Sequence, residues 1–485
     1  MSAGIVSWGV YLPTWRLPRP AIAEVLGVPA GRGTRSVAAH DEDTTTMAVE
    51  AGRRALRGLA GDPPADVFFS TPAPAYLDKT NATAVHAALG LPAWAGAYDL
   101  LGSTRSGVAA LRGAAALATT GRRTLAVLSD LRTGPAGSLD ERDGGDGAVA
   151  FVFGTGPGVV AEIIGHASSS AEFLDRWREP GETASKQWEE RFGEAVYAPL
   201  VDAAWTEALK NATLGVDEID HLVVAGLHPR AVRAAAKATG VRADAIVGDH
   251  AARTGNLGAA QTGFLLADAL ERAEPGAVIA VVVVADGADV LLLRTTTALA
   301  SARDTRSAAG VAAVAELVAG GRSDLPYARF LTWRGELRRD PPRRPDPERP
   351  GAPATWRSSD WRGGFDASRC LECGFRHLPP TRVCLRCKAI DRMELERLAD
   401  VPARVATYTV DRLAFSLSPP VVGVVIDFEG GGRYRCEMTD VDPDTLEVGM
   451  PVEMTYRRIY TAAGVPNYFW KAKPIAAAPT DGGTA

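Results

Sequence analysis

Cysteine is scarce in this sequence: five occur in 485 residues, and four of them fall between positions 370 and 387. A secreted chain stapled by disulfides would scatter its cysteines along the fold. The expected compartment is therefore the reducing cytoplasm. Basic excess is missing as well. A net charge of −5 and a pI near 5.9 leave no electrostatic footprint for nucleic acid or an anionic membrane. Long apolar runs are absent. The longest, Ala277–Ala285, falls far short of the ~20 residues of a membrane-spanning helix and reads as a buried strand. The opening MSAGIVSWGVYLP shows neither the basic flank nor the apolar core of a signal peptide. GTGPG at 154–158 lacks the strand–helix context and spacing of a phosphate or dinucleotide loop.

What is present is an ordinary globular mixture, 46% hydrophobic and 23% charged, long enough for two to four units at roughly 150 residues each. Enrichment in Ala and Gly is read as genome composition. Residues 338–356, RRDPPRRPDPERPGAPATW, hold six prolines, too many to keep helical hydrogen bonds. A semi-extended, Pro/Arg-rich linker is expected over 338–360, between a large and a small domain.

Upstream, strand candidates Val67–Ser70, Thr124–Ser129, Ala148–Phe153, Leu222–Ala225, Ala277–Ala285 and Val290–Arg294 alternate with alanine-rich helical periods. The helix candidates are Thr44–Leu59, Thr83–Leu89, Gly107–Thr119, Tyr197–Lys210, Ala231–Ala238 and Ala260–Arg272. This rhythm predicts a layered α/β fold with largely parallel strands. It also repeats. Gly107–Thr119 leads to a strand, Asp146-Gly147-Ala148 and a second strand; Ala260–Arg272 leads to a strand, Asp286-Gly287-Ala288 and a second strand. The repeat points to a duplicated domain, although any two α/β units share some of this pattern.

Downstream, RCLECGFRHLPPTRVCLRCK spaces Cys370, Cys373, Cys384 and Cys387 as C-x2-C-x10-C-x2-C. Two residues between cysteines form a knuckle that aims both sulfurs at one ion. Four thiolates close a tetrahedral shell, so a structural zinc is expected; redox use of the pairs is the alternative. His377 lies inside the loop and is read as a loop residue, since four sulfurs suffice. Short β-like runs follow at Arg404–Val410, Val421–Phe428, Arg433–Thr439 and Val452–Arg457, which suggests a small barrel.

This ribbon, followed by VPARVATYTV, PPVVGVVIDFEGGG, LEVGMPVEMTYRR and NYFWKAKP, resembles the DUF35 family, a rubredoxin-like zinc ribbon fused to an OB-fold. That family accompanies thiolase-type acyl-CoA enzymes. The resemblance implies a module that docks onto a partner or channels acyl-CoA. The acidic run Glu437, Asp440, Asp442 and Asp444 does not favour nucleic acid on such a barrel.

GIVSWGVYLPTWRLPRPAIAEVLG and RSVAAHDEDTTTMAVEAGRRAL open a second resemblance, which LDKTNATAVHAALGLP, GGDGAVAFVFG, TGNLGAAQTG and ADGADVLLLR carry to about Thr297. The large domain resembles HMG-CoA synthases of the archaeal and bacterial type. The resemblance implies an α/β thiolase fold, a duplicated five-layer αβαβα arrangement, with halves at 1–165 and 166–337. The ribbon then covers 361–395, an all-β OB-fold barrel 396–478, and a disordered tail 479–485. It also implies a CoA thioester as substrate and a homodimer.

In such enzymes a cysteine at a helix N-terminus is acylated, because the helix dipole lowers its pKa. Thr104, in LGSTRSGVAAL, stands at that place, and Ser70–Tyr76 reads STPAPAY without the family's glutamate. His228, at a strand end in LVVAGLHPR, matches the catalytic histidine; on its own residues it is a strand–loop junction. Asn256, in TGNLGA, matches the asparagine that helps polarise the thioester oxygen; on its own it is a turn residue before a helix. Tyr76 is the candidate base, Thr104 a small residue that opens space or a nucleophile in need of activation. Gly102 and Gly258 permit close backbone approach to a ligand or between helices. Without sulfur, the implied chemistry is making or breaking a C–C bond beside the thioester, foremost retro-aldol cleavage of a 3-hydroxyacyl-CoA. The alternative is a catalytically silent scaffold whose small domain docks onto a separate thiolase-family protein.

Overall fold

The computed structural model describes residues 3–29, 31–343, 345 and 347–475. It divides into a large unit running to Leu337 and a small unit from Arg338 onward that also takes in Ala87–Gly90. The tail expected over 479–485 lies outside the described residues. No helix among them is long and apolar enough to cross a membrane.

The large unit is built on nine strands. They are β1 (Ala3–Tyr11), β2 (Asp66–Thr71), β3 (Gly96–Leu101), β4 (Thr124–Asp130), β5 (Gly147–Thr155), β6 (Ala161–Ser170), β7 (His221–Gly226), β8 (Val278–Val284) and β9 (Gly287–Thr295). Their spatial order is β7-β8-β9-β6-β1-β5-β4-β2-β3. Five helices matter most: α1 (Thr44–Leu56), α2 (Ser106–Ala118), α3 (Glu190–Ala212), α4 (Pro229–Ala238) and α5 (Gln261–Arg272).

The two halves repeat one another pair by pair. β1–β5 is antiparallel like β6–β9, and β4–β5 like β8–β9. β2–β4 is parallel like β7–β8, and the parallel β2–β3 is matched by an isolated parallel bridge, Leu222–Ile246. The halves meet where β1 pairs β6 through Gly4–Glu162 and Ile5–Ala161. The expectation of largely parallel strands is corrected: β2–β3, β2–β4 and β7–β8 are parallel, and the other five ladders are antiparallel. Helix–strand alternation reveals crossovers, but not the reversals that return β5 against β4 and β9 against β8.

Burial explains the layers. In β8, Ile279, Val281 and Val283 enter one core with Val108 of α2 and Phe264 of α5. Val278, Ala280, Val282 and Val284 enter another, with Tyr197 and Val201 of α3 and Ala231 of α4. Successive side chains leave a strand on opposite faces, so a strand covered on both sides needs an unbroken apolar run. α1 covers the outer face of the first half against β1 and β5. The order is helix, sheet, central helices, sheet, helix: the duplicated five-layer fold. Asp43 starts α1 by accepting the Thr46 N–H (2.9 Å) while Thr46 Oγ1 accepts the Asp43 N–H (2.9 Å), a capping box.

In the small unit, β10 (Asp366–Cys370), β11 (Arg376–His377) and β12 (Met393–Arg397) form the ribbon. β13 (Ala403–Asp411), β14 (Val421–Phe428), β15 (Arg433–Met438), β16 (Pro451–Ala462) and β17 (Val465–Pro474) close a barrel in the order β13-β14-β15-β17-β16. Val422, Val424, Ile426 and Phe428 of β14 point inward. Fully buried Phe365 joins this core, its ring 6.0 Å from Phe428 and 5.4 Å from Tyr434. The linker is not extended throughout: helix α6 (Ala352–Gly364) occupies its end. Pro353 lies in the first turn, where its missing N–H forfeits no helical bond.

Phe264→Ala is expected to destabilise the large unit by about 3–5 kcal/mol, read as a lower urea midpoint at unchanged slope.

Candidate active site and metal centre

Strand ends and helix starts bring the candidate residues to one end of the large unit's sheet. His228 follows β7 and caps α4, with Pro229 at the helix's first position. Its Nδ1 accepts the Ala231 N–H at 3.0 Å, so the ring proton sits on Nε2. That N–H donates to the Glu190 carbonyl at the start of α3, 2.8 Å away. The ring is 1% exposed, buried rather than at the surface. Asn256 is tied to the same strand end: Nδ2 donates to the Gly226 carbonyl (2.8 Å), and Oδ1 accepts the Gly258 N–H (2.9 Å). His228 and Asn256 therefore stand together, each with its polar atoms engaged by main chain.

Gly258 sits at φ +57, and a Cβ there would run into Asp130 Oδ2. Its glycine is required by a carboxylate. Gly102 is at φ +109 with open space around it, so there the backbone conformation makes the demand. Thr104 precedes α2, and its carbonyl accepts the Gly107 N–H at 3.2 Å. A Cβ on Gly107 would lie 2.8 Å from Leu128 Cδ2 and 3.2 Å from the Ala259 carbonyl, which sets α2 directly against the Asn256–Gly258 turn. Tyr76 lies in the loop after β2, held by Asn81 through Tyr76 N–H to Oδ1 (3.0 Å) and Nδ2 to the Tyr76 carbonyl (2.9 Å). Burial and then the Asp43 charge push its hydroxyl above the usual tyrosine range. Among the described residues no hydrogen bond or ring contact joins Tyr76 to Thr104, His228 or Asn256.

The structure adds residues that the sequence did not single out for the site. Asp175 Oδ1 lies 4.0 Å from His228 Nε2, and Asp175 Oδ2 accepts the Tyr197 hydroxyl at 3.0 Å. The approach depends on Gly193, where a Cβ would lie 2.8 Å from both Asp175 Oδ1 and His228 Nε2. The Tyr197 oxygen accepts the Asp286 N–H (3.3 Å), and Asp286 Oδ2 accepts from Ser103 Oγ (2.9 Å), next to Thr104. Arg105 secures the same turn, donating to the Asp286 carbonyl (2.6 Å) and to Asp289 Oδ2 (2.7 Å). Tyr197 titrates well above the tyrosine range because burial and then the Asp175 charge oppose its ionisation. Asp175 and Tyr197 sit in stretches whose sequence period gives no hint of a shared site; Asp286 had been visible only as part of the repeat.

Asp130, at the end of β4, is 1% exposed and accepts the Ala259 N–H at 2.9 Å, with Arg132 3.5 Å away. Burial raises its carboxyl above the ordinary range despite Arg132.

The metal centre is local. The four cysteine sulfurs lie within 4.8 Å of one another, with Cys370–Cys387 at 3.6 Å and Cys373–Cys384 at 3.5 Å. Tetrahedral zinc–sulfur bonds of about 2.3 Å place sulfurs about 3.8 Å apart, so the cluster has the size for one zinc ion. The Cys387 N–H donates to Cys384 Sγ (3.4 Å) and is the leading reason that thiol falls to about 5.

The duplicated layers define a thiolase-fold protein. Solved neighbours agree on the fold. An HMG-CoA synthase complexed with CoA superposes with TM-score 0.57 at 16% identity, over 68% of this chain and 89% of that one. The Pseudomonas aeruginosa 3-oxoacyl-(acyl carrier protein) synthase III gives 0.55 at 20%, over 61% and 99%. Hydroxymethylglutaryl-CoA synthase of Methanopyrus kandleri is 30% identical over 300 residues, 59% of this chain and 85% of that enzyme. The Aeropyrum pernix enzyme is 31% identical over 232 residues, 46% of this chain, and the match spans 64% of that enzyme, just under two thirds of its length. A DUF35 domain-containing scaffold protein of Methanothermobacter thermautotrophicus is 30% identical over 125 residues, 25% of this chain and 93% of that protein. Residues 396–457 match the family described as ChsH2, C-terminal OB-fold domain. The chain belongs to the HMG-CoA synthase family in its large unit and carries a DUF35-type zinc-ribbon and OB-fold module in its small one.

Two outcomes test these sites. Metal analysis of the purified chain is expected to give one zinc per chain, with four thiols becoming reactive once it is chelated. Asp130→Asn removes the buried charge. A carboxyl whose folded pKa lies above its unfolded value favours folding while protonated, below about 4, and loses that contribution as pH rises through the folded value. Stability should therefore shift in favour of the variant between pH 4 and pH 7, measured by chemical denaturation at each pH.

Proposed function

We propose that the large unit acts on a CoA thioester without an acyl-enzyme, making or breaking the adjacent C–C bond, and specifically that it cleaves a 3-hydroxyacyl-CoA by a retro-aldol step. The observation that carries this is the cysteine count. All five cysteines lie at 370 and beyond, so the large unit has no sulfur nucleophile, while His228 and Asn256 stay together at the end of β7. In the proposed step a base removes the 3-hydroxyl proton, the C2–C3 bond breaks, and C3 leaves as a carbonyl. The electron pair goes to the thioester enolate, which a proton at C2 converts to acetyl-CoA or a 2-substituted analogue. The enolate oxygen needs hydrogen-bond donors placed in advance. The Nε2–H of a neutral His228 and the Nδ2–H of Asn256 are such donors, on giving up the Glu190 and Gly226 carbonyls. Thr104 leaves room beside them, and Tyr76 is the candidate base. The solved neighbour complexed with CoA supports the substrate class; the cytoplasm and a homodimer complete the reading. The zinc, closed by four thiolates, is structural.

A second reading has its own support. Because both donors are engaged by main chain, the large unit also suits a silent scaffold whose small unit serves a separate thiolase-family protein.

Incubation of the purified chain with a series of 3-hydroxyacyl-CoAs is expected to release acetyl-CoA or propionyl-CoA. His228→Ala should slow release roughly 100- to 1000-fold, with Thr104→Ala close to the parent. Turnover that needs an added thiolase and ignores His228→Ala would transfer the function to the scaffold.

A further inference from the structure

One stretch of chain, residues 175–197, covers the Nε2 side of His228. Glu190 supplies the carbonyl that accepts the Nε2–H at 2.8 Å, and Asp175 Oδ1 lies 4.0 Å from the same nitrogen. Gly193 passes so close that a Cβ would lie 2.8 Å from Nε2. The Tyr197 ring stands edge-on to the imidazole, 6.0 Å away. Between Asp175 and Glu190 the chain makes an excursion, a hairpin with paired strands Arg176–Trp177 and Lys186–Gln187. The Trp177 and Trp188 rings meet edge to face at 6.2 Å, and the Trp188 N–H donates to the Asp175 carbonyl at 3.0 Å. The turn that carries Glu190 is thus continuous with the hairpin.

No buried residue holds the hairpin down. From 176 to 192 every residue is exposed or half-buried, and burial resumes at Gly193. The hairpin is fastened instead by polar contacts to neighbouring loops. The Arg176 guanidinium grips both oxygens of Asp140, at 2.7 Å each. The Thr133 hydroxyl donates to the Thr183 carbonyl, and Arg178 donates to the Pro72 carbonyl. The first turn of α3 adds little. Glu189, at its cap position, makes no side-chain hydrogen bond, so the turn lacks the partner that resists fraying. The Glu190–Arg230 pair (3.1 Å) is open to water at both ends, where such pairs contribute little. A segment with few buried apolar contacts and solvent-facing hydrogen bonds opens well before its domain unfolds.

We infer that residues 176–192 form a lid over His228, latched by the Arg176–Asp140 pair. Hairpin and first helical turn lift as one piece about the buried residues that flank them, Asp175 and Gly193. The Glu190 carbonyl then leaves Nε2, and the imidazole N–H is free to donate to a ligand. The anchors stay behind: Tyr197 keeps its place in the core and its hydroxyl on Asp175 Oδ2 (3.0 Å). Opening the latch leaves Asp140 with Arg132, 3.9 Å away, so its carboxylate is not stranded. That the freed N–H serves a thioester enolate rests on the reading given above; the lid itself does not.

The test uses the full chain and needs no substrate. Deuterium uptake is followed by mass spectrometry at the backbone amides of 176–192 and at the ring C2 position of His228, with exposed His166 as the reference. In the parent the amides of 176–192 are expected to exchange well before those of 197–212, at rates that sub-denaturing urea scarcely changes. Arg176→Ala should speed ring exchange at His228 roughly 3- to 10-fold, with His166 and the urea midpoint unchanged. Arg176→Lys, which keeps a charge for Asp140, should fall between the two. Ring exchange at His228 that does not move in Arg176→Ala overturns the inference. So does a lower urea midpoint with equal acceleration at 197–212, because the pair then holds the domain and not a lid. If Arg176→Ala does not fold, the parent decides: amides of 176–192 as protected as those of 197–212 overturn the lid. A parent chain that cleaves no 3-hydroxyacyl-CoA would defeat the proposed reaction instead, a separate and distinguishable failure.

Discussion

Burial of both sheet faces is the constraint on which the large unit depends. The two halves of the nine-stranded sheet share one central helical layer, so α2 and α5 must fit between strands that are themselves covered on the far side. Room is made by small residues. Ala110, Ala114 and Ala118 of α2 and Ala267 and Ala269 of α5 are fully buried, and a Cβ on Gly263 would run into Val149 of β5. Part of the Ala and Gly enrichment that looked like genome composition is thus a packing requirement. Interiors packed to crystal-like density leave no slack for a larger side chain at such points.

The same constraint made much of the fold legible. Apolar runs such as Ala277–Ala285 mark strands buried on both sides; five of the six strand candidates of the large domain lie within strands, and Ala277–Ala285 overruns β8 by one residue at each end. The repeat was visible because Asp-Gly turns recur at matching places. Strands β1, β3, β6 and β17 and the ribbon strands β10–β12 match no strand candidate. β6 carries Glu162, His166 and three serines, since much of it is only half covered. Strand direction was misread because it is fixed by pairing partners far away in sequence. The four cysteines were legible for the opposite reason: their geometry is set within eighteen residues of chain.

The candidate site lies between these extremes. His228 and Asn256 could be named from the motifs around them, but not what they bind. Glu190, Asp175 and Tyr197 reach His228 only because residues 171–197 fold back across the end of β7, and that path leaves no local period. Gly193 looked like any glycine; its missing side chain is what lets a carboxylate and an imidazole come together there. The histidine that resembled a surface junction is buried, and its tautomer follows from the helix start it caps.

The two Asp-Gly turns of the repeat have come to serve different ends. Asp146 is fully buried and gathers the Ala38 N–H (2.7 Å), the Arg132 N–H (2.8 Å) and the guanidinium groups of Arg35 and Arg334. Asp286 is exposed and holds Ser103 and the Tyr197 hydroxyl, next to Thr104. After a duplication, each copy of such a corner is free to specialise. One has become an internal keystone, fixed by its partners; the other faces outward, with fewer partners to hold its residue type in place.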